Sequence, residues 1–300
     1  MLQFREPELS DRPAAEAIFF SLPYRLAEFN FSDLFIWRRV FGTKIAFEGG
    51  FLLARLRWEG RTCFYFPAGR GNLAEAVRAL AREAEREGCP LRLTSVTPEM
   101  AGALEALFPG KFRYEPVRSS FDYLYNAQDL ITLSGRKYHS KRNHITRFGA
   151  LGSWEYEPVT EENFAEVLEL NELWCRENGC GGDAGMKREF CAVREALRNF
   201  EPLGFDGGLI RLDGCAVAFS VGQKLCEDTY LVHIEKALAD AQGAYSVINR
   251  EFSASNCAGY AYINREDDAG AEGLRKAKLS YYPAVLLEKN LAALKEGEKL

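Results

Sequence analysis

A chain of 300 residues, 47% hydrophobic and 27% charged, is long enough for two medium domains, each with a buried core of its own. Its formal net charge of -5 and pI of about 5.5 exclude a protein that coats nucleic acid through overall charge, so DNA is not an expected partner and any polyanion must meet a local basic patch. No apolar run approaches the roughly 20 residues that cross a bilayer, and the opening MLQFREPELSD is unlike a signal peptide, so a cytoplasmic protein is expected, with peripheral contact to membrane lipid left open.

The first elements are helical. Ser10-Asp11-Arg12-Pro13 places a capping residue before a first-turn proline, and Ala14, Ala17 and Ile18 follow at helical spacing. A second amphipathic helix is expected from Phe31 to Val40, with Trp37 in ordinary core packing. From Lys44 to Pro67 short β-rich runs broken by Glu48-Gly49-Gly50 and Glu59-Gly60-Arg61 form an antiparallel meander. Helix 72–87 carries Leu73, Val77 and Leu80 on one face and stops at Gly88-Cys89-Pro90. Strand 91–94, helix 98–108 and a strand at 120–125 are expected to complete the half.

The second half repeats that order. Thr160-Glu161-Glu162-Asn163 resembles a helix start, and a further helix spans 187–199. Strands follow at 208–212, 216–221 and 229–235, the first two joined by the hairpin signal Asp213-Gly214. Helix 244–255, strand 260–263, helix 270–278 and strand 284–288 close the chain. The boundary lies near residues 126–135, giving domains at 1–130 and 131–300. Two helices, a meander, then helix, strand, helix, strand, occurring twice, match an α+β class of two tandem GNAT-like (acyl-CoA N-acyltransferase-type) domains. Each is a mixed, mostly antiparallel sheet flanked by helices, splayed to leave a donor cleft; the fold alone does not fix the function.

Eight cysteines without a C-x-x-C pair read as reduced, mostly buried thiols. His139, His144 and His233 stand too far from Cys175, Cys180 and Cys191 for a zinc spacing, so no metal is expected. His233, within an apolar strand, reads as a hydrogen-bonded core residue. Cys180-Gly181-Gly182-Asp183 reads as a mobile loop over a cleft or, equally, as a plain interhelical turn.

Two stretches could carry chemistry. LSGRKYHSKRNHITRF (133–148) holds Arg136, Lys137, Lys141, Arg142 and Arg147 without an acid. If helical, it places Lys137, Lys141 and His144 on one face, able to grip phosphates or simply solvated. INREDDAGAEGLRKAKLSYYP (263–283) sets Asn264-Arg265-Glu266 at the end of an apolar strand, before Asp267, Asp268 and a helix ending in Arg275, Lys276 and Lys278. Helix electrostatics account for the acids first and the cations last, but not for the polar triplet after the strand. Tyr281-Tyr282-Pro283 reads as packing.

These stretches resemble the two signature segments of the phosphatidylglycerol lysyltransferase C-terminal domain family. The matching residues are Lys141, Arg142 and Asn143, then Asn264, Arg265, Glu266, Asp267, Gly270, Gly273, Leu274, Arg275 and Lys278. The resemblance implies a tandem GNAT-like fold and transfer of an amino acid from aminoacyl-tRNA to a hydroxyl or amine of a lipid or peptide. Lysyltransferases of that family carry a membrane-embedded region before the catalytic part that these residues do not include, so lipid is the less expected acceptor.

In that mechanism Glu266 or Asp267 is the candidate base, Arg275 or Lys278 stabilises the oxyanion, and Lys137, Lys141, Arg142, Asn143, Arg147, Asn264 and Arg265 hold substrate or phosphate. No cofactor is expected beyond the donor substrate. The alternatives are an acyl-CoA-dependent N-acyltransferase and a non-catalytic protein that binds a phosphorylated ligand. For the first, only Gly243 survives of a glycine-rich pyrophosphate loop, and Asp240 would repel the ligand.

Overall fold

A computed structural model describes residues 2–179 and 184–300. Residues Cys180-Gly181-Gly182-Asp183, read above as a mobile loop or a plain turn, lie outside the described residues. Two compact units divide the chain discontinuously. Residues up to Asp122, with 267–272 and 286–300, form the first; residues 123–266 and 273–285 form the second.

In the first unit, helices α1 (Arg12–Phe19), α2 (Phe31–Ile36) and α3 (Arg38–Phe41) precede the meander β1 (Lys44–Glu48), β2 (Phe51–Trp58), β3 (Arg61–Tyr65), with a two-residue β4 (Ala68–Gly69) on β2. Pro13 sits in the first turn of α1, as its fixed φ favours. The single helix expected over 31–40 is instead two, interrupted at Trp37 (φ -90, ψ -3), which ends α2 and begins α3. Helix α4 (Leu73–Arg86) buries Val77, Leu80 and Ala84, and the Asn72 side chain accepts from the Glu75 N–H at 3.2 Å. Strand β5 (Arg92–Val96) leads to α5 (Pro98–Leu107), capped by Thr97, and then to β6 (Phe112–Pro116).

In the second unit, β7 (Asp122–Asn126), α6 (Ala127–Thr132), α7 (His139–Gly149) and β8 (Trp154–Pro158) come first. Helices α8 (Phe164–Glu177), α9 (Ala184–Arg198) and α10 (Phe200–Leu203) lead to the meander β9 (Asp206–Leu212), β10 (Cys215–Lys224), β11 (Thr229–Ala237). Asp213 and Gly214 both take positive φ (48° and 83°), the two-residue turn that the Asp-Gly pair favours. Then follow α11 (Ala244–Asn256), β12 (Tyr262–Asn264), α12 (Glu272–Leu279) and β13 (Val285–Leu287), after which the chain returns to the first unit with β14 (Asn290–Leu294).

The strand orders are β1-β2-β3-β5-β14-β6 in one sheet and β8-β9-β10-β11-β12-β7-β13 in the other. The strand expected to complete the first half, β7, therefore belongs to the second sheet, antiparallel to β12 with Leu124 facing Asn264. Strand β14, from the end of the chain, lies instead between β5 and β6. Each half thus lends its last strand to the other half's sheet, next to the parallel pairs β3–β5 and β11–β12.

A buried ion cluster accompanies β14. Lys289, 2% exposed, donates to Glu28 Oε2 at 2.6 Å and Asp122 Oδ1 at 2.7 Å. Burial pushes the Glu28 carboxyl up despite Lys289. Cys63, Cys226 and Cys257 are free and buried, as expected, and Cys89, half-buried, and Cys191 and Cys215, exposed, are free as well; Cys175 departs from expectation in being disulfide-bonded.

Candidate functional site

Strands β11 and β12 run parallel and pair only at Thr229, Tyr230 and Leu231, opposite Tyr262, Ile263 and Asn264. Strand β12 ends there while β11 continues to Ala237, so the polar residues after Asn264 face a strand that has lost its neighbour. On its other side β11 carries an extra residue: Gly222 faces Val232 and Val221 faces Ile234, which leaves His233 in a bulge. Bulges of this kind re-aim a side chain that regular alternation would point elsewhere.

The His233 side chain is 1% exposed. Its Nδ1 lies 2.8 Å from Glu266 Oε1 and its Nε2 lies 2.9 Å from the Gln223 amide nitrogen. An amide N–H₂ only donates, so Nε2 accepts and the proton sits on Nδ1, donated to Glu266. Glu266 is held at three further points. Its backbone takes φ 54°, its N–H donates to Asn264 Oδ1 at 2.7 Å, and its carbonyl accepts from the Tyr123 N–H at 3.1 Å. A non-glycine residue in this region of φ is strained, and it persists here because its surroundings fix it.

The Arg265 side chain turns into the unit, 10% exposed, and donates from Nη2 to Glu235 Oε1 at 2.7 Å. Glu235 Oε2 accepts from Asn249 Nδ2 at 3.0 Å. Burial is the largest influence and lowers the guanidinium pKa, but the Glu235 charge and hydrogen bond, with Tyr125 and Tyr281, together outweigh it and hold the value above its ordinary level, so the side chain stays cationic. Its Nη1 is buried without a hydrogen-bond partner, and so is Asn249 Oδ1. Orphaned polar atoms of this sort are uncommon enough in folded proteins to mark a site.

Lys141 of α7 meets the same cluster. Its Nζ donates to Ser280 Oγ at 2.6 Å and lies 3.8 Å over the Tyr281 ring; the Arg265 guanidinium lies 5.0 Å from the same ring centroid. Burial, and then the Arg265 charge, lower the Lys141 pKa to about 8. Tyr281 therefore joins the two sequence stretches, with its hydroxyl pushed up to about 12 by burial.

The other cations of 133–148 do not form one basic face. Lys137 pairs with Asp129 at 3.0 Å. Arg142 donates to the Leu133 carbonyl and, at 2.8 Å, to that of Gly135, tying down the chain before α7. Asn143 bonds His139 at 3.2 Å, and Arg147 is exposed.

In the second stretch Lys278 donates from Nζ to the Arg265 carbonyl at 2.6 Å, so it braces the loop; Arg275 is half-buried on α12. Asp267 falls in the first unit, where its Oδ1 accepts from the Ala269 N–H at 3.0 Å. Gly243 precedes α11 with φ 95°, and a Cβ there would lie 2.3 Å from the His144 carbonyl oxygen. That glycine is required by the packing of α11 on α7.

Over residues 20–293 the chain matches the family described as phosphatidylglycerol lysyltransferase, C-terminal. It belongs to that family. A conserved protein of unknown function from Bacteroides thetaiotaomicron is 38% identical, with 98% of this chain and 100% of that one covered and a TM-score of 0.94. The L-PGS structure from Bacillus licheniformis shares the fold at 15% identity, with 98% and 94% covered and a TM-score of 0.67. An uncharacterised protein of Mycoplasmoides gallisepticum is 26% identical over 187 residues, 58% of this chain; the chain spans only 56% of that relative. The architecture is α+β with two tandem GNAT-like domains.

In this phosphatidylglycerol lysyltransferase-family chain, the second unit assembles a fixed carboxylate, a buried guanidinium with an unpaired N–H and an ammonium of lowered proton affinity. Together these can take a proton, bind an oxyanion and return a proton. His233, Glu235, Asn249 and Tyr281 complete the arrangement and were not read as site residues. Glu235 carried the clearest signal: a carboxylate inside the apolar run of β11 demands a buried partner. Among the described residues, no helix is long and apolar enough to cross a membrane.

Proposed function

We propose that this protein is an aminoacyltransferase that moves an amino acid from aminoacyl-tRNA to a hydroxyl or amine acceptor, and that its second unit performs the transfer. The observation that carries the reading is the Arg265–Glu235 pair: a buried cation with an unpaired Nη1 beside Lys141, in a member of a family named for lysyl transfer. The acceptor atom attacks the ester carbonyl of the donor, and Glu266, oriented by His233, receives its proton. The buried Arg265 guanidinium stabilises the tetrahedral oxyanion through its positive charge. As the carbon–oxygen bond to the ribose breaks, Lys141, with a pKa of about 8, protonates the departing oxygen and is restored by the proton held on Glu266.

In this reading Asn264 and Lys278 shape the loop that presents Arg265 and Glu266, while the exposed Arg147 meets the tRNA phosphates. Lipid and peptide both remain acceptor classes, and a lipid acceptor would bring peripheral contact with a membrane. An acyl-CoA donor is the weaker reading, because helix α7 already fills the space beside Gly243.

The test is transfer of label from a mixed pool of radiolabelled aminoacyl-tRNA into the lipid and peptide fractions of a bacterial extract, with acetyl-CoA as a parallel donor. Label should enter one fraction and fall at least 100-fold with Glu266→Gln or Arg265→Lys. Label from acetyl-CoA alone, or from neither donor, would overturn the assignment.

A further inference from the structure

A cleft of about 420 Å³ in the first unit takes no part in the chemistry proposed above. It opens where the parallel strands β3 and β5 part: they pair only at Phe64–Leu93 and Tyr65–Thr94. Beyond that point β3 runs through Phe66 and Pro67 toward α4, and β5 turns through Thr97 into α5. The crevice at the carboxyl ends of diverging parallel strands is where sheets of this kind bind small molecules.

The floor of the cleft is rigid. The loop 69–71 is pressed against the turn before β2, so that a Cβ on Gly69 would lie 2.2 Å from the Gly50 carbonyl oxygen and one on Gly71 2.4 Å from that of Gly49. Between these glycines the Arg70 N–H donates to the Gly50 carbonyl at 3.2 Å, and its guanidinium is steadied by a 2.6 Å bond from Nη2 to the Ser21 carbonyl. Arg70 therefore stands at a fixed place on the rim.

The lining combines one cation, one anion and an apolar wall. Phe51, Phe66 and Met100 form the wall, with Arg70 and Glu99 as the charges. Glu99 is exposed on the first turn of α5 and has no ion-pair partner among the described residues; after burial, its charge is what pushes the Tyr24 hydroxyl up, which keeps that group a donor at the same rim. The starts of α4 and α5 are already capped by Asn72 and Thr97, so an anion here meets Arg70 rather than bare helix ends.

We infer that this cleft binds a free α-amino acid with an apolar side chain, its carboxylate on Arg70, its ammonium on Glu99 and its side chain against Phe51, Phe66 and Met100. The volume is at the small end of ligand pockets and suits a single amino acid rather than a nucleotide-linked donor. A ligand with only one charge would cover the other rim charge without pairing it, which costs free energy, so the zwitterion is selected over its deaminated and decarboxylated analogues.

The experiment titrates the whole chain with L-phenylalanine, 3-phenylpropionate and phenethylamine by calorimetry, while the Met100 methyl resonance reports occupancy. L-Phenylalanine should bind saturably and shift the Met100 signal, with each analogue at least 10-fold weaker. Glu99→Gln, at an exposed position, should weaken L-phenylalanine at least 10-fold without lowering the melting temperature, and Arg70→Ala should do the same. No saturable binding of L-phenylalanine, equal binding of 3-phenylpropionate, or unchanged affinity in Glu99→Gln would overturn the assignment.

Discussion

Replacing Lys141 by methionine removes an ammonium that the fold holds against burial and against the nearby Arg265 charge. The lysine titrates near about 8 in the folded chain and near its ordinary 10.5 in the unfolded one. Between these values the unfolded chain binds the extra proton, so the stability of the wild type rises with pH across that window and is lowest below it. The full gap corresponds to at most roughly 3–4 kcal/mol. Because the side chain is only partly buried, water screens the interaction, and about 1–2 kcal/mol is the expected size. Urea unfolding of wild type and Lys141→Met at pH 7, 8, 9 and 10 isolates this contribution, since other groups cancel in the difference. Relative to the variant, the wild type should gain about 1–2 kcal/mol between pH 8 and pH 10. A difference that stays flat over that range would refute the account of Lys141 electrostatics, and with it the assignment of Lys141 as a proton donor near neutral pH.

Truncating Arg265 to alanine leaves Glu235 buried without its cation and should cost about 3–5 kcal/mol by urea midpoint, much of it recovered when Glu235 is also made leucine. Gly243→Ala must place a Cβ 2.3 Å from the His144 carbonyl at φ 95°, and a loss of at least about 2 kcal/mol in thermal unfolding is expected. The fragment 131–300 lacks β7, an interior strand of its sheet, and should give a collapsed amide spectrum, whereas 123–285 spans the whole second unit and should give a dispersed one.

Helices α4, α5 and α11 were legible because their apolar positions recur at helical spacing and their caps are written into the chain, as in Asn72 and Thr97. Strand β14 was not: Asn290-Leu291-Ala292-Ala293-Leu294 consists mostly of helix formers, and pairing with β5 and β6 on both sides overrides that preference. The path of β7 into the second sheet was equally hidden, since nothing local to a strand names its neighbour. Within the site, Lys141, Arg265 and Glu266 were readable as charges out of place. Glu235 stood out only as a carboxylate in an apolar run, and its link to the motif, like those of Asn249 and His233, was hidden, because these residues sit in β11 and α11, where only the folded register brings them within hydrogen-bond distance. The bulge that turns His233 toward Glu266 is a property of the β10–β11 pairing and has no signature in the strand itself.

The position of β14 bears on how the chain is made. Asn290 bonds the Val96 carbonyl across 194 residues of sequence. A ribosome adding about 5–20 residues per second takes roughly 10–40 s to travel between them. For that interval a nascent chain has synthesised β5 and β6 but not the strand that joins them, so it carries two unpaired edges of the kind that recruit foreign strands. The first sheet of this protein therefore closes only once β14 has been made, and its yield in a cell should depend on chaperones that shield the open gap during synthesis.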